Sequence, residues 1–231
     1  MVLGGILAEA LDKTADQLSL VEILEQAIAQ AVEVLSLGRG ARDSASCTVA
    51  LARFGETDTA DLLVLGDSTI AVGGAGGSVE LITDTRLDQL DLPEADAYKA
   101  RLREGFGYDE THRRTLSDLQ KRQQYWRNRP GGYWIASTEP AAARHALTMR
   151  RSAAEWFVLA TDGASDCLEA AGISWQALAQ ADDAELANLL RRCQAWEAAV
   201  DPHGIQLSRA KRHDDKTVVT VRRTQPRKQL S

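Results

Sequence analysis

From Leu18 to Leu35 the chain reads LSLVEILEQAIAQAVEVL, with Leu20, Ile23, Leu24, Ala27, Ile28, Ala31, Val34 and Leu35 at three- and four-residue spacing. That period predicts a helix with one apolar face. Ser19 sits at the N-cap position and Glu22 three residues on, the two halves of a capping box. Beyond GRGARDS the period shortens to two. In SASCTVALARF the residues Cys47, Val49, Leu51 and then Phe54 alternate with polar or small neighbours, and the acidic turn GETDTAD comes next. The run after it, LLVLGDSTIAVGG, reads as another strand interrupted at Gly66-Asp67-Ser68, and the two runs together predict a hairpin.

SVELITDTRL repeats the strand pattern and ends on Asp84 and Arg86. From Asp88 to Asn128 the chain turns helical and polar without a continuous apolar face, which predicts a partly exposed insertion, flap-like and reaching to about residue 145. GGYWIAST resumes extended structure, EPAAARHALTM suggests a short helix or loop, and WFVLATDG a buried strand. Two helical stretches in SWQALAQADDAELANLLRRCQAWEAAV and a last strand, KTVVTVRR, close the pattern. This order lacks strict βαβα alternation. It predicts an α+β fold, two antiparallel sheets sandwiched between helices.

Composition narrows the reading. The chain has 231 residues, 44% of them hydrophobic, enough for one large core, so a single domain over 1–222 is expected, with 223–231 a disordered basic tail. A net charge of −6 and a pI near 5.3 argue against a nucleic-acid or anionic-membrane partner. The start, MVLGGILAEALDKTADQ, is too short an apolar run for a signal peptide or a membrane span. Cys47, Cys167 and Cys193 form no C-x-x-C pair, which suits neither a disulfide framework nor a zinc site and fits a reducing cytoplasm.

The candidate chemistry is carboxylate. Asp162 stands where the strand WFVLA stops, Gly163 beside it permits a sharp turn, and Asp166 lies one helical turn later. Asp214 and Asp215 stand immediately before the last strand. If the two strands are neighbours, these acids converge into an oxygen-only site for a hard divalent cation, Mg²⁺ or Mn²⁺. A second account stays open, in which Asp-Gly is only a turn and Asp166 a helix cap. Gly66-Asp67-Ser68 has the same alternative, a bulge or turn, and Asp84 and Arg86 that of a solvated strand end. No H-E-x-x-H, G-x-S-x-G or phosphate-binding glycine motif frames the histidines or glycines.

In order, SASCTVALA at 44–52, VLGDST at 64–69, LITD at 81–84, LATDGASD at 159–166 and HDDKTVVTV at 213–221 resemble the motifs of the metal-dependent type 2C protein phosphatases, the PPM family, in its short bacterial form. The resemblance implies an αββα sandwich with a manganese or magnesium centre between the sheets. It also implies hydrolysis of phosphoserine or phosphothreonine proteins, or of a small phosphoester, by a metal-activated water without a covalent phosphoenzyme. By motif position Asp162 and Asp214 match ligands of the paired metals, Asp166 and Asp84 the holders of an additional metal, and Asp67 a residue of the sheet scaffold.

In one respect the chain departs from that family. The family opens with strands that carry an acidic ligand, a phosphate-binding arginine and an Asp-Gly bridging the metals, whereas here only VLGGILAEAL precedes the first long helix and the only Asp-Gly is Asp162-Gly163. The expectation is therefore a chain without the N-terminal metal-ligand strands. Either its start lies downstream of them or its centre is incomplete, and the second case makes a pseudophosphatase, a binding or regulatory module, the alternative function.

Overall fold

The computed structural model describes residues 2–13, 17–38, 45–55 and 58–223. Helix α2 (Leu20–Val34) begins as its sequence requires: the Ser19 side chain accepts from Glu22 N, and the Glu22 carboxylate accepts from Ser19 N at 2.8 Å. Its buried face carries Leu20, Ile23, Leu24, Ala27, Ile28, Ala31 and Val32, while Val34 and Leu35, expected on that face, are exposed. A helix not foreseen from the sequence, α1 (Val2–Lys13), buries Leu7 in the same cluster. Among the described residues no strand precedes α2.

The expected hairpin forms from β1 (Val49–Phe54) and β2 (Thr59–Leu65), antiparallel with Leu51 opposite Leu63. Part of its acidic turn, positions 56 and 57, lies outside the described residues. The interrupted run does not continue as one strand. At Gly66, whose φ of +82° is open to glycine at little cost, the chain leaves the first sheet, and β3 (Thr69–Gly73) enters the second. The second sheet is completed by β4 (Val79–Thr83), β6 (Trp156–Ala160) and β7 (Val218–Arg222), in the order β4-β3-β6-β7, with all pairs antiparallel.

The first sheet has the order β1-β2-β5; the segment EPAAARHALTM, expected as a short helix or loop, forms a short helix over Pro140–His145 and then enters the strand β5 (Leu147–Ser152). The strand is hard to read in LTMRRS because its arginines are spent on ion pairs: Arg150 Nε reaches Asp61 Oδ1 at 2.6 Å and Arg151 Nε reaches Glu80 Oε2, across the sheets, at 2.7 Å. GGYWIAST, expected to be extended, contributes only isolated bridges, Cys47 with Ala136 and Arg127 with Tyr133.

Strand alternation builds the layers. Leu62 and Val64 face inward to Ile70, Val72, Ile82 and Phe157, forming the core between the sheets. Leu63 and Leu65 face outward under α1 and α2. On the far side Ala71, Trp156 and Val158 lie under α5 (Asp162–Leu168), α6 (Trp175–Gln180) and α7 (Asp183–Ala199). The fold is α+β, two antiparallel sheets flanked by helices, as expected. The insertion forms α3 (Pro93–Arg103) and α4 (Glu110–Trp126), which pack through Tyr98, Leu102 and Leu119. His112 ties it to the body: its Nε2 lies 2.9 Å from Ala210 O, with Tyr98 and Tyr108 edge-on to the ring.

Arg223, expected to begin the tail, belongs to the fold: it pairs with Asp58 and lies 5.7 Å over the rings of Phe54 and Phe157. The rest of the expected tail, 224–231, lies outside the described residues. No described helix is long and apolar enough to cross a membrane, and all three cysteines are free.

Candidate metal centre

β6 stops at Ala160, and Thr161, the next residue, ties its end to the loop before β7. Thr161 N donates to Thr217 O at 3.1 Å, its Oγ1 accepts from Thr217 N at 3.1 Å, and the same hydroxyl donates to Asp215 O at 3.3 Å. These bonds hold the 214–217 segment against the start of α5 even before β7 pairs with β6. Gly163 makes the approach possible. A Cβ there would come within 2.6 Å of Asp215 O and 2.9 Å of Asp214 Cβ, so only glycine leaves room.

Asp162, Asp166 and Asp214 consequently line one cavity of about 200 Å³, together with Asp88, Tyr98 and Lys99 from the insertion side. Of the four aspartates expected to converge, Asp162, Asp166 and Asp214 line this cavity and Asp215 does not. Burial, then the charges of Asp162, Asp88 and Asp214, push the Asp166 carboxyl up to about 6. Asp67 is pushed up to about 6 as well, by burial and then by Asp162, with Asp166 and Asp88 adding to it. Like charges withdrawn from water raise a carboxyl in this way. Asp67 therefore stands in the field of the cluster, although its motif had suggested scaffold alone. Its place directly after β2 is the signal that marked Asp162 at the end of β6. Asp88 carried no such signal.

Asp214 is partly engaged. Its Oδ1 accepts from Lys211 Nζ at 2.9 Å and from Asp215 N at 3.0 Å. Beneath it lies a buried ion pair: Lys216 Nζ to Glu197 Oε1 at 2.6 Å, both side chains 2% exposed, with His213 Nδ1 3.0 Å from Glu197 Oε2. Lys216 also donates to Asp214 O at 3.3 Å, which fixes the backbone of the acidic loop. Asp201 braces the same loop: it pairs with Arg209 at 2.7 Å and accepts from Gln206 N and Leu207 N.

Asp84, expected as a peripheral ligand, is engaged by Arg86. Arg86 Nε donates to its two oxygens at 2.8 and 3.0 Å, Arg86 Nη2 reaches Oδ2 at 2.5 Å, and Arg86 N adds a bond at 3.0 Å. A carboxylate held in this bidentate way has its lone pairs filled, and with Asp67 it lines a small pocket beside Gly66 and Trp134, separate from the cavity of Asp162, Asp166 and Asp214. Asp215 likewise contributes backbone contacts.

Carboxylates alone suit a hard cation, and the raised carboxyls mark uncompensated negative charge that a divalent ion would relieve. No described His, Cys, Asp or Glu triplet closes into a metal cage.

No protein-family model matches the chain, and no curated protein sequence does. Among solved structures, the catalytic domain of the serine/threonine phosphatase PstP in complex with two manganese ions is 16% identical, with a TM-score of 0.47 over 95% of this chain and 79% of that one. The Mycobacterium tuberculosis phosphatase PstP/Ppp is 18% identical at TM-score 0.48, covering 95% and 80%. A Toxoplasma gondii serine-threonine phosphatase 2C gives 16% and 0.45 over 95% and 77%. The likeness is to type 2C phosphatase domains. At these identities and TM-scores it leaves the functional reading to the residues of this chain.

Proposed function

We propose that this chain is a metal-dependent phosphatase domain that hydrolyses phosphoserine or phosphothreonine in proteins, or small phosphomonoesters. The observation that carries the reading is the convergence of Asp162, Asp166 and Asp214 on one cavity, with Asp166 pushed up to about 6 by burial and by its acidic neighbours. Asp162, Asp166 and Asp214 are the residues that would hold Mn²⁺ or Mg²⁺. A bound divalent ion activates water and neutralises phosphate charge. Asp67 adds negative field at the same place.

Lys99 supplies the opposite charge. It lines the cavity from α3 and makes no salt bridge among the described residues, whereas Arg209, also lining it, is committed to Asp201. An unspent cation at the mouth of the site orients a phosphoryl oxygen. The insertion thereby contributes to substrate binding.

A second reading, a binding or regulatory module without turnover, is favoured by the salt bridge that occupies Asp214 Oδ1 and by the lack of a closed triplet among the described residues. Mn²⁺-dependent hydrolysis of p-nitrophenyl phosphate, compared between the wild type and Asp162→Asn, tests the first reading: turnover that survives chelator or that substitution overturns it. Calorimetric Mn²⁺ binding without turnover selects the second.

A further inference from the structure

Asp166 lines a second, larger cavity on its other side. This groove, about 620 Å³, runs between β4 and the α5–α6 connection, with Val79, Leu81 and Thr83 on one wall and Leu168, Ile173 and Trp175 on the other. β4 is an edge strand; it pairs with β3 alone, and no described strand lies on its outer side. Alternation sends Ile82 into the core and leaves Val79 and Leu81 on the opposite face, 41% and 53% exposed. The outer helices pack on Ala71 of β3 and Val158 of β6, and no β4 residue belongs to that cluster.

An apolar edge open to solvent is a liability that folds normally blunt with charge, proline or a covering element. The one acidic residue in the middle of β4, Glu80, points away and is bound by Arg151. There remains an unpaired backbone edge above two apolar side chains, the arrangement that accepts an added strand. The groove is also electrostatically one-sided: Asp166 and Glu169 line it, and no described Lys, Arg or His does.

We propose that this groove binds the extended segment next to the phosphorylated residue of a protein substrate, adding it as a strand beside β4. The segment carries an apolar side chain that fits between Leu81 and Trp175, and a Lys or Arg that meets Glu169. The proposal rests on the phosphatase reading of the aspartate cavity and specifies its substrate. Continuity supports it, since Asp166 belongs to both cavities and Thr83 closes the end of β4 nearest Asp84. β4's five residues extend about 15 Å. A segment of similar length starting from the phosphorylated residue fills the groove.

The test uses the full chain and two phosphopeptides, one with Leu and Lys beside the phosphoserine and one with both replaced by Ser, alongside p-nitrophenyl phosphate. With Mn²⁺, the wild type is expected to prefer the Leu/Lys peptide by about tenfold in kcat/KM, through KM. In Leu81→Asp, whose side chain is exposed and whose folding is checked by circular dichroism, the kcat/KM ratio of that peptide to the nitrophenyl ester falls about tenfold and the preference disappears. A preference that survives Leu81→Asp, or no preference in the wild type, overturns the groove assignment. A second arm needs no turnover: a fluorescein-labelled, dephosphorylated Leu/Lys peptide is titrated by anisotropy, and binding is weakened in Leu81→Asp and Glu169→Lys. Equal binding by all three proteins overturns it. Absence of nitrophenyl ester hydrolysis in the wild type, with peptide binding intact, overturns the phosphatase reading alone.

Discussion

Gly163 lies so close to Asp215 that a side chain added at its Cα would stand 2.6 Å from the Asp215 carbonyl oxygen. The contact sets the spacing between the start of α5, which bears Asp162 and Asp166, and the loop that bears Asp214. Gly163→Ala should push those two segments apart, since the obstructing atom is backbone and cannot rotate away. The expected outcome is a loss of about 1–3 kcal/mol of stability in urea titration, as overpacking costs in a tight site. Mn²⁺ affinity measured by calorimetry should fall at least tenfold. Unchanged affinity would show that the two segments do not share a cation.

The raised carboxyls make a pH prediction whose sign is fixed by their direction. Asp67 and Asp166 have folded values of about 6 against an ordinary 3.8, so the unfolded chain binds fewer protons there than the folded one between those values. Their stabilising contribution is fully present below about 3.8 and is lost as the pH rises through about 6. Metal-free protein should therefore gain on the order of 1 kcal/mol between pH 7 and pH 5, read as a higher melting temperature. The lowered carboxyls, Asp61 held down chiefly by Arg150 and Asp109 held down chiefly by the His112 amide, lose stability only below that window. Saturating Mn²⁺ should abolish or reverse the gain.

Much of this was legible in the sequence, and the limits have physical causes. The capping box of α2, the β1–β2 hairpin and the strand before Asp162 were readable because each obeys one period or one local rule. Residues Leu147–Ser152 were not readable as a strand, because the partners of Arg150 and Arg151 come from other strands and the pattern shows only charge. Asp162, Asp166 and Asp214 could be grouped from motif order. Asp84 was marked for an additional metal only by the family resemblance, its strand-end position fitting a solvated end equally well, and that Arg86, two residues on, folds back onto it is what the sequence did not show. Asp88 reaches the cavity through a tertiary arrangement that no local pattern announces.

The buried pair beneath the acidic loop predicts a stability effect larger than any surface ion pair. Lys216→Met leaves the Glu197 carboxylate, 2% exposed, with only His213 beside it, at a cost of about 3–5 kcal/mol. Glu197→Gln together with Lys216→Met should recover a good part of that loss, because no lone charge then stays buried. A double mutant no more stable than the single one, by guanidinium titration, would mean that the cost comes from the lost Lys216 contact to Asp214 O instead.

Lys99 gives a prediction that separates substrate binding from metal binding. Lys99→Met removes the one described cavity-lining ammonium not already used in an ion pair, so KM for p-nitrophenyl phosphate should rise about tenfold while Mn²⁺ affinity stays the same or improves slightly. A drop in Mn²⁺ affinity would instead place Lys99 in the support of the aspartates.

Asp166→Asn distinguishes a functional carboxylate from a structural one by opposing effects on two measurements. The carboxylate is buried among Asp162, Asp88 and Asp214, and its charge at neutral pH opposes folding. Removing that charge while keeping the side chain's shape should raise the melting temperature of the metal-free protein by a few degrees, since about 1 kcal/mol moves a domain of this size by roughly 2–4 °C. The same substitution removes an anionic oxygen from the cation's ligands, so Mn²⁺ should stabilise the variant far less than the wild type. A helix-capping or turn aspartate behaves the other way, losing stability on substitution with no change in the response to metal. Thermal melts of both proteins, with and without Mn²⁺, therefore decide whether Asp166 is retained for the fold or for the ion.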